Sequence, residues 1–418
     1  MGRYTREKEK GGSLMQNIGN QNRFSGRSRS RTIAQRSEND LVPYAVMSLA
    51  VLLLSMPLPL VLSGSPYATG FCWAACAVCA LLVILTSQRI VGVFAVSLIF
   101  TFAISYFGDP VLIATVIGII FSCGLYSAAI AAANKSHIFF LAVTPLLPAT
   151  LTYLITDSPT FACVSMLHTI PALAMGLGAR RKASRTQTIA IFSTVGVILM
   201  AASALLYIYG QNNALTPEII SDSAEYLRGT INSLFDVAIK NAEAAGVADA
   251  LTLLTNDVAI MTVNLLPSLA FITAIAVGFF AQKVEVSLFK TYDKEDLLLI
   301  AKDPITVSCT SALVFLAAYL LSFTTSASNT TSFLGVVALN ISLILFPALI
   351  AIGFRAMTRL PRKLGFLALI IWIAIILIAN SLSASILTVL ALIGAFYIVI
   401  VHTDSWAKDH YAKKGEDQ

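Results

Sequence analysis

Apolar residues fall in long runs along this chain, separated by short polar stretches instead of alternating with polar positions. A membrane-crossing helix needs about 20 mainly apolar residues. Scanning at that length predicts helices over 41–62, 68–86, 90–107, 111–133, 137–155, 161–178, 187–209, 260–282, 305–323, 332–354, 364–380 and 385–401. The pattern is that of an all-α, polytopic transmembrane helix bundle of about 12 spans (10–12, the lower count applying if a terminal hairpin is re-entrant). Pro57-Leu58-Pro59 interrupts the first run. Each proline removes a backbone donor and clashes one turn back, so the first helix should end or kink near Met56.

One stretch is too polar to span. Residues 210–257 carry seven acids (Glu218, Asp222, Glu225, Asp236, Glu243, Asp249, Asp257) against two bases. Thr216-Pro217-Glu218 reads as a helix start, with a capping hydroxyl, proline at the first helical position and an acid in the first turn. Ile220, Leu227, Ile231, Leu234 and Ala238 then recur at helical spacing, and Gly246 should break that helix before the next one. An amphipathic helix on the outer face, or capping the bundle, is expected. The chain thus divides into a basic tail over 1–40, an N-terminal bundle over 41–209, the insert over 210–257, a C-terminal bundle over 258–402 and a tail over 403–418.

Composition removes the soluble alternative. Of 418 residues 57% are hydrophobic and 12% charged, and the mean hydropathy is +0.80, against roughly a quarter charged in ordinary soluble domains. Charge placement tests the topology independently. With the tail inside, 26 of the 28 Lys/Arg fall on inside segments, and only Arg228 and Lys240 fall outside. By the positive-inside rule both termini are then cytoplasmic. Residues 1–40 hold nine Lys/Arg and four acids, have no signal-peptide pattern, and read as a disordered retention tail. The Arg/Ser run over 25–31 could meet anionic lipid or RNA, with the simple topogenic reading favoured and no specific nucleic-acid partner expected.

Ionisable groups inside a bundle are costly and mark function. No Asp, Glu, Lys or Arg lies in the middle of any predicted span, which argues against a carrier driven through a carboxylate relay. His168 stands mid-span and is a candidate solute ligand; its alternative role is to bond a backbone carbonyl freed by Pro171. Asn264 and Asn340 are buried amides for a polar solute or, more commonly, for interhelical bonding. Pro148, Pro171, Pro267 and Pro347 mark helices with freed carbonyls, tolerated where they face protein or a cavity. With Tyr126 and Tyr153 these polar groups complete the candidate solute-binding set: His168, Asn264, Asn340, Tyr126 and Tyr153.

Cys72, Cys76 and Cys79 share one helix face but lie in an apolar span without a nearby His or acid, so close packing is favoured over a metal site. Gly70-x-x-x-Ala74, Gly118-x-x-x-Ser122, Ala128-x-x-x-Ala132, Ala172-x-x-x-Gly176 and Ala174-x-x-x-Gly178 predict tight helix contacts, within the chain or with other membrane proteins. The sequence has no His-Glu-x-x-His, P-loop, nucleophile elbow or dinucleotide fingerprint. No cofactor and no enzymatic activity are expected.

Several features in order resemble the YybS-like family of uncharacterised bacterial membrane proteins, over about residues 41–410. They are Pro57-Leu58-Pro59-Leu60 after the first apolar run, Asn134-Lys135-Ser136 as a short basic linker, and Arg180-Arg181-Lys182 before a span and an acidic insert. Asn264-Leu265-Leu266-Pro267 and a final helix centred on Gly394 complete the set. Members of that family are similar in their N-terminal half to the S subunits of energy-coupling-factor vitamin transporters. The resemblance implies a bacterial plasma-membrane protein that binds or transports a small molecule, and supplies no catalytic residues. The alternative expectation is a scaffold or regulator binding other membrane proteins.

Overall fold

The computed structural model describes residues 42–86, 113–235, 239, 248–291, 297, 304–324, 333–364 and 385–416. The tail 1–40, the spans expected over 90–107 and 364–380, and the break at Gly246 lie outside them. All regular structure among the described residues is helical. Among the described residues, eight helical stretches are long and apolar enough to cross a membrane: Ala45–Leu62, Thr115–Ala132, His137–Thr156, Pro159–Arg180, Arg185–Asn212, Leu266–Leu288, Phe333–Thr358 and Ile386–Thr403. The runs at 68–86 and 305–323 form helices whose apolar parts, Ala68–Leu82 and Cys309–Ser322, are shorter. Large apolar side chains such as Phe139, Leu154 and Phe333 point outward, 79%, 74% and 84% exposed. That is the surface a chain offers to hydrocarbon, not to water.

The first run divides as its prolines dictate. Helix α1 (Val42–Ser55) ends at a bend on Met56, and α2 (Pro57–Leu62) starts with proline at its first turn. Helix α3 (Ala68–Thr86) returns against them, and Cys72, Cys76 and Cys79 pack there with Leu54 and Ala75. Gly70 behaves differently from its expected role: nothing lies within 4 Å of where its Cβ would be, so Gly70-x-x-x-Ala74 makes no tight contact among the described residues.

A π-turn (Ile113–Ile117) leads into α4 (Gly118–Ala132), the centre of the larger core. Helices α5 (Lys135–Val143) and α6 (Leu146–Thr156) form one interrupted span, and α7 (Pro159–Met166) with α8 (Thr169–Arg180) form the next. Helix α9 (Arg185–Asn212) begins with a reciprocal cap between Ser184 and Gln187. Helix α10 (Pro217–Ser233) starts as expected, with the Thr216 hydroxyl accepting from the Ile219 amide at 3.4 Å. Its inward side runs through Ile219, Leu227 and Ile231; Ile220 and Leu234, placed on that side by spacing, are exposed.

Helix α11 (Ala248–Asn264) is separated from α12 (Leu266–Thr291) by a break at Leu265. Helices α13 (Cys309–Thr324), α14 (Phe333–Leu364) and α15 (Ile386–Glu416) follow. Small residues set the crossings. Gly124 faces the Ala281 carbonyl and Val284 of α12, and Gly176 of α8 faces the Ser127 carbonyl and Ile130. Residue numbers rise together at both contacts, so α4 runs parallel to α8 and α12. Gly353 and Gly394 meet the backbones at Leu390 and Leu349, so α14 and α15 are antiparallel and in backbone contact.

Candidate functional site

Beyond the first run, helices break beside three prolines among the described residues, Pro145, Pro171 and Pro267, and each proline frees the carbonyl four residues earlier. Pro145 frees that of Leu141, which accepts from the buried Tyr126 hydroxyl at 2.5 Å. Pro267 sits beside the break between α11 and α12, and there Asn340 of α14 enters the gap. Its Oδ1 accepts from the Ser268 amide at 3.0 Å, and its Nδ2 donates to the Asn264 carbonyl at 3.0 Å and to Val336 at 2.9 Å. In an intact helix the Ser268 amide would bond the Asn264 carbonyl directly. Asn340 is spliced into that missing bond, which brings Asn264 and Asn340 together through backbone and amide.

The break at Pro171 is handled differently. His168 is 2% exposed at the junction of α7 and α8, and its carbonyl accepts from the Ala172 amide and the Cys123 thiol. Its ring was expected to bond a carbonyl freed by Pro171, yet both ring nitrogens are buried without a hydrogen-bond partner. Tyr153 is 46% exposed on the outside of α6. The five candidates therefore do not converge on one place.

Sequence reading missed a buried acid. Glu285 of α12 is 1% exposed, and Ser127 of α4 donates to its Oε1 at 2.7 Å. The expectation that no Asp, Glu, Lys or Arg lies in the middle of a predicted span did not reach Glu285, because that span stopped at 282 while the apolar helix continues through Leu288, near whose end Glu285 lies. Lys283 ended the hydropathy window, although it faces outward while Gln282 and Glu285 face inward. Period, not mean hydropathy, carried the signal: Gly278, Ala281, Gln282, Glu285 and Leu288 follow a helical stripe.

A cavity of about 670 Å³ opens elsewhere, between α9, α12 and α14, with the extended segment 304–308 beside it. Its walls are mainly Ile, Phe, Ala and Pro347, with hydroxyls at Thr186, Ser193, Thr194, Thr306, Ser308 and Ser311. Helices α12 and α14 run parallel, held together at one end by Asn340 and Ser268 and lining the cavity beyond. At the other end are cations: Arg185 lies 5.1 Å and Lys283 5.4 Å from the centroid of the Phe279 ring. Arg355, one turn past the lining residue Ala351, is within Coulombic range of Arg185. Arg185 is further fixed by Gln282, whose Oε1 accepts from its Nε at 2.9 Å. None of the five candidate residues lines this cavity.

The profile of a family described as "Predicted membrane protein (DUF2232)" matches residues 111–396. The chain belongs to the DUF2232 family. No curated protein and no solved structure matches the chain. The DUF2232 region starts just before the π-turn ahead of α4 and ends within α15, so it contains the Glu285–Ser127 pair, the Asn340 splice and the whole cavity. Helices α1 to α3 lie outside it.

Proposed function

We propose that this DUF2232 protein binds, and moves within or across the membrane, a small amphipathic molecule. The cavity between α9, α12 and α14 carries the reading. At about 670 Å³ it falls within the few-hundred to 1,000 Å³ range of small-molecule sites, and its apolar walls suit an apolar body. The sequence resemblance to YybS-like proteins, and through them to S subunits of energy-coupling-factor transporters, supports binding and rests on sequence pattern alone. The same reading places the protein in a bacterial plasma membrane with about 12 spans and both termini cytoplasmic, supported by the 26-to-2 charge split. The basic end of the cavity then faces the cytoplasm. Binding, not catalysis, is proposed, since among the described residues no paired acid, base or nucleophile lines the walls.

A scaffold role is the second reading, favoured by α10, which is without a fully buried residue and exposes Tyr226 (80%), with Leu234 (76%) exposed just past its end. Such a surface suits a partner protein. Purification in mild detergent followed by identification of co-purified small molecules and proteins separates the two. Narrowing the cavity with Ala276→Leu and Ala348→Leu should remove the small molecule. Co-purified proteins that persist without any small molecule in the unmodified chain would favour the scaffold.

A further inference from the structure

The arrangement at the basic end of the cavity goes further than the presence of a cavity. Arg185 comes from the start of α9, Lys283 from α12 and Arg355 from α14, so three helices each bring one cation to the same mouth. Like charges gathered in this way repel, and two of them share one aromatic ring. Among the described residues no carboxylate lies at ion-pair distance from any of the three. The nearby Glu285 faces the other side of α12 and is engaged by Ser127. Such a cluster is relieved by an anion that binds between its members, and guanidinium and ammonium groups together suit a phosphate.

Charge at the mouth and apolar walls behind it select one class of molecule. The walls from Phe271 to Phe280 extend about 14 Å along α12 at 1.5 Å per residue. A hydrocarbon chain fits that slot, and a free hydrophilic phosphate gains nothing from it. The hydroxyls of Ser308 and Ser311, 2.8 Å apart at the same end, add polar atoms at headgroup level. On the reading of a small-molecule site given above, we infer that its ligand is a net-anionic phospholipid, one whose headgroup carries no cation to balance its phosphate. The chain occupies the cleft between α12 and α14, and the phosphate sits among Arg185, Lys283 and Arg355.

The full chain in non-ionic detergent is titrated with dioleoyl phosphatidic acid, dioleoyl phosphatidylcholine and inorganic phosphate, with binding read by native mass spectrometry. The expected result is at least tenfold tighter binding of phosphatidic acid than of phosphatidylcholine, with inorganic phosphate failing to compete at millimolar concentration. Lys283→Gln with Arg355→Gln should bring the two lipids within threefold of each other. A phosphatidic acid bearing a diazirine on its acyl chain should label peptides of α12 and α14 in the unmodified protein, which needs no variant to fold. Equal affinity for both lipids, with the cavity peptides still labelled, would overturn the anionic-headgroup inference and leave the small-molecule reading standing. Labelling confined to outer surfaces would remove both. Competition by inorganic phosphate would replace the lipid with a free phosphate.

Discussion

Asn340 accepts from the Ser268 amide and returns a hydrogen bond to the Asn264 carbonyl, so its side chain closes the helix that Pro267 leaves open. The cost of removing it follows from the groups left behind. Asn340→Leu keeps the volume but strands a buried amide, and a buried unsatisfied group costs about 1–3 kcal/mol. Hydrogen bonds between membrane helices average less, nearer ~0.6 kcal/mol, so a loss of about 1–2 kcal/mol in reversible unfolding is expected. Asn340→Asp keeps the acceptor and loses both donors, and should behave nearly as badly. Pro267→Ala in the Asn340→Leu background restores a backbone donor to α12 and lets the Ser268 amide bond Asn264 directly. A double-mutant cycle should show at least half the loss recovered. Simple additivity of the two changes would contradict the splice.

Glu285 makes a second test. Its carboxyl is buried with Ser127 as its hydrogen-bond donor. Glu285→Gln offers the same acceptor without a charge, so thermal stability should hold or rise. Ser127→Ala removes the donor without opening a large cavity and should lower stability by about 1 kcal/mol, the usual net worth of a buried hydrogen bond. In the Glu285→Gln background, Ser127→Ala should cost a similar amount. If Glu285→Gln unfolds the protein, an ionised carboxylate with a further cationic partner is required at that position.

How far the residues announced these features depends on the range of the physics involved. The bend at Met56 and the start of α10 at Thr216 are local, fixed by proline and capping chemistry within a few residues, and the structure has both. The Asn340 splice was half legible: Pro267 signalled a freed helix end, and Asn340 was an evident polar residue in a span. Only tertiary packing joins positions 72 residues apart. Glu285 was hidden because Lys283, which faces outward, stopped a window that averages over all sides of a helix. The cavity left almost no trace, since Ile, Phe and Ala line a slot as readily as they face lipid. Pro347 was its one marked wall residue.

Glycines separate contact from mere composition. A Cβ on Gly394 would meet the Leu349 backbone carbonyl, and one on Gly353 the Leu390 carbonyl. Backbone cannot rotate away as a side chain can, so α14 and α15 must part. Gly394→Ala and Gly353→Ala should each destabilise by about 1–3 kcal/mol, as overpacking does. Gly229, inside α10, has nothing within 4 Å of its Cβ position. Gly229→Ala should stabilise by about 0.5–1 kcal/mol through helix propensity alone. Guanidinium or thermal melts of the three variants, compared with the parent, check both signs at once.

Glu218 provides the pH dependence. Its backbone amide and the Thr216 hydroxyl hold the carboxyl below the usual carboxylate range, in the first turn of α10 and outside the spans. A folded-state value depressed below the unfolded one adds stability that is present above the unfolded carboxylate range. That contribution is lost as pH falls through the depressed value. Because Glu218 is exposed, the effect is local to the helix start, and screening by solvent keeps it small. Amide exchange over the first turns of α10 should therefore be slower in the parent than in Glu218→Gln at neutral pH. The difference should close as the solution is acidified past the carboxylate range, while Thr216→Ala should speed exchange at every pH because the cap bond to Ile219 is uncharged. A gap between parent and Glu218→Gln that persists unchanged into strong acid would show that charge at this position does not hold the helix.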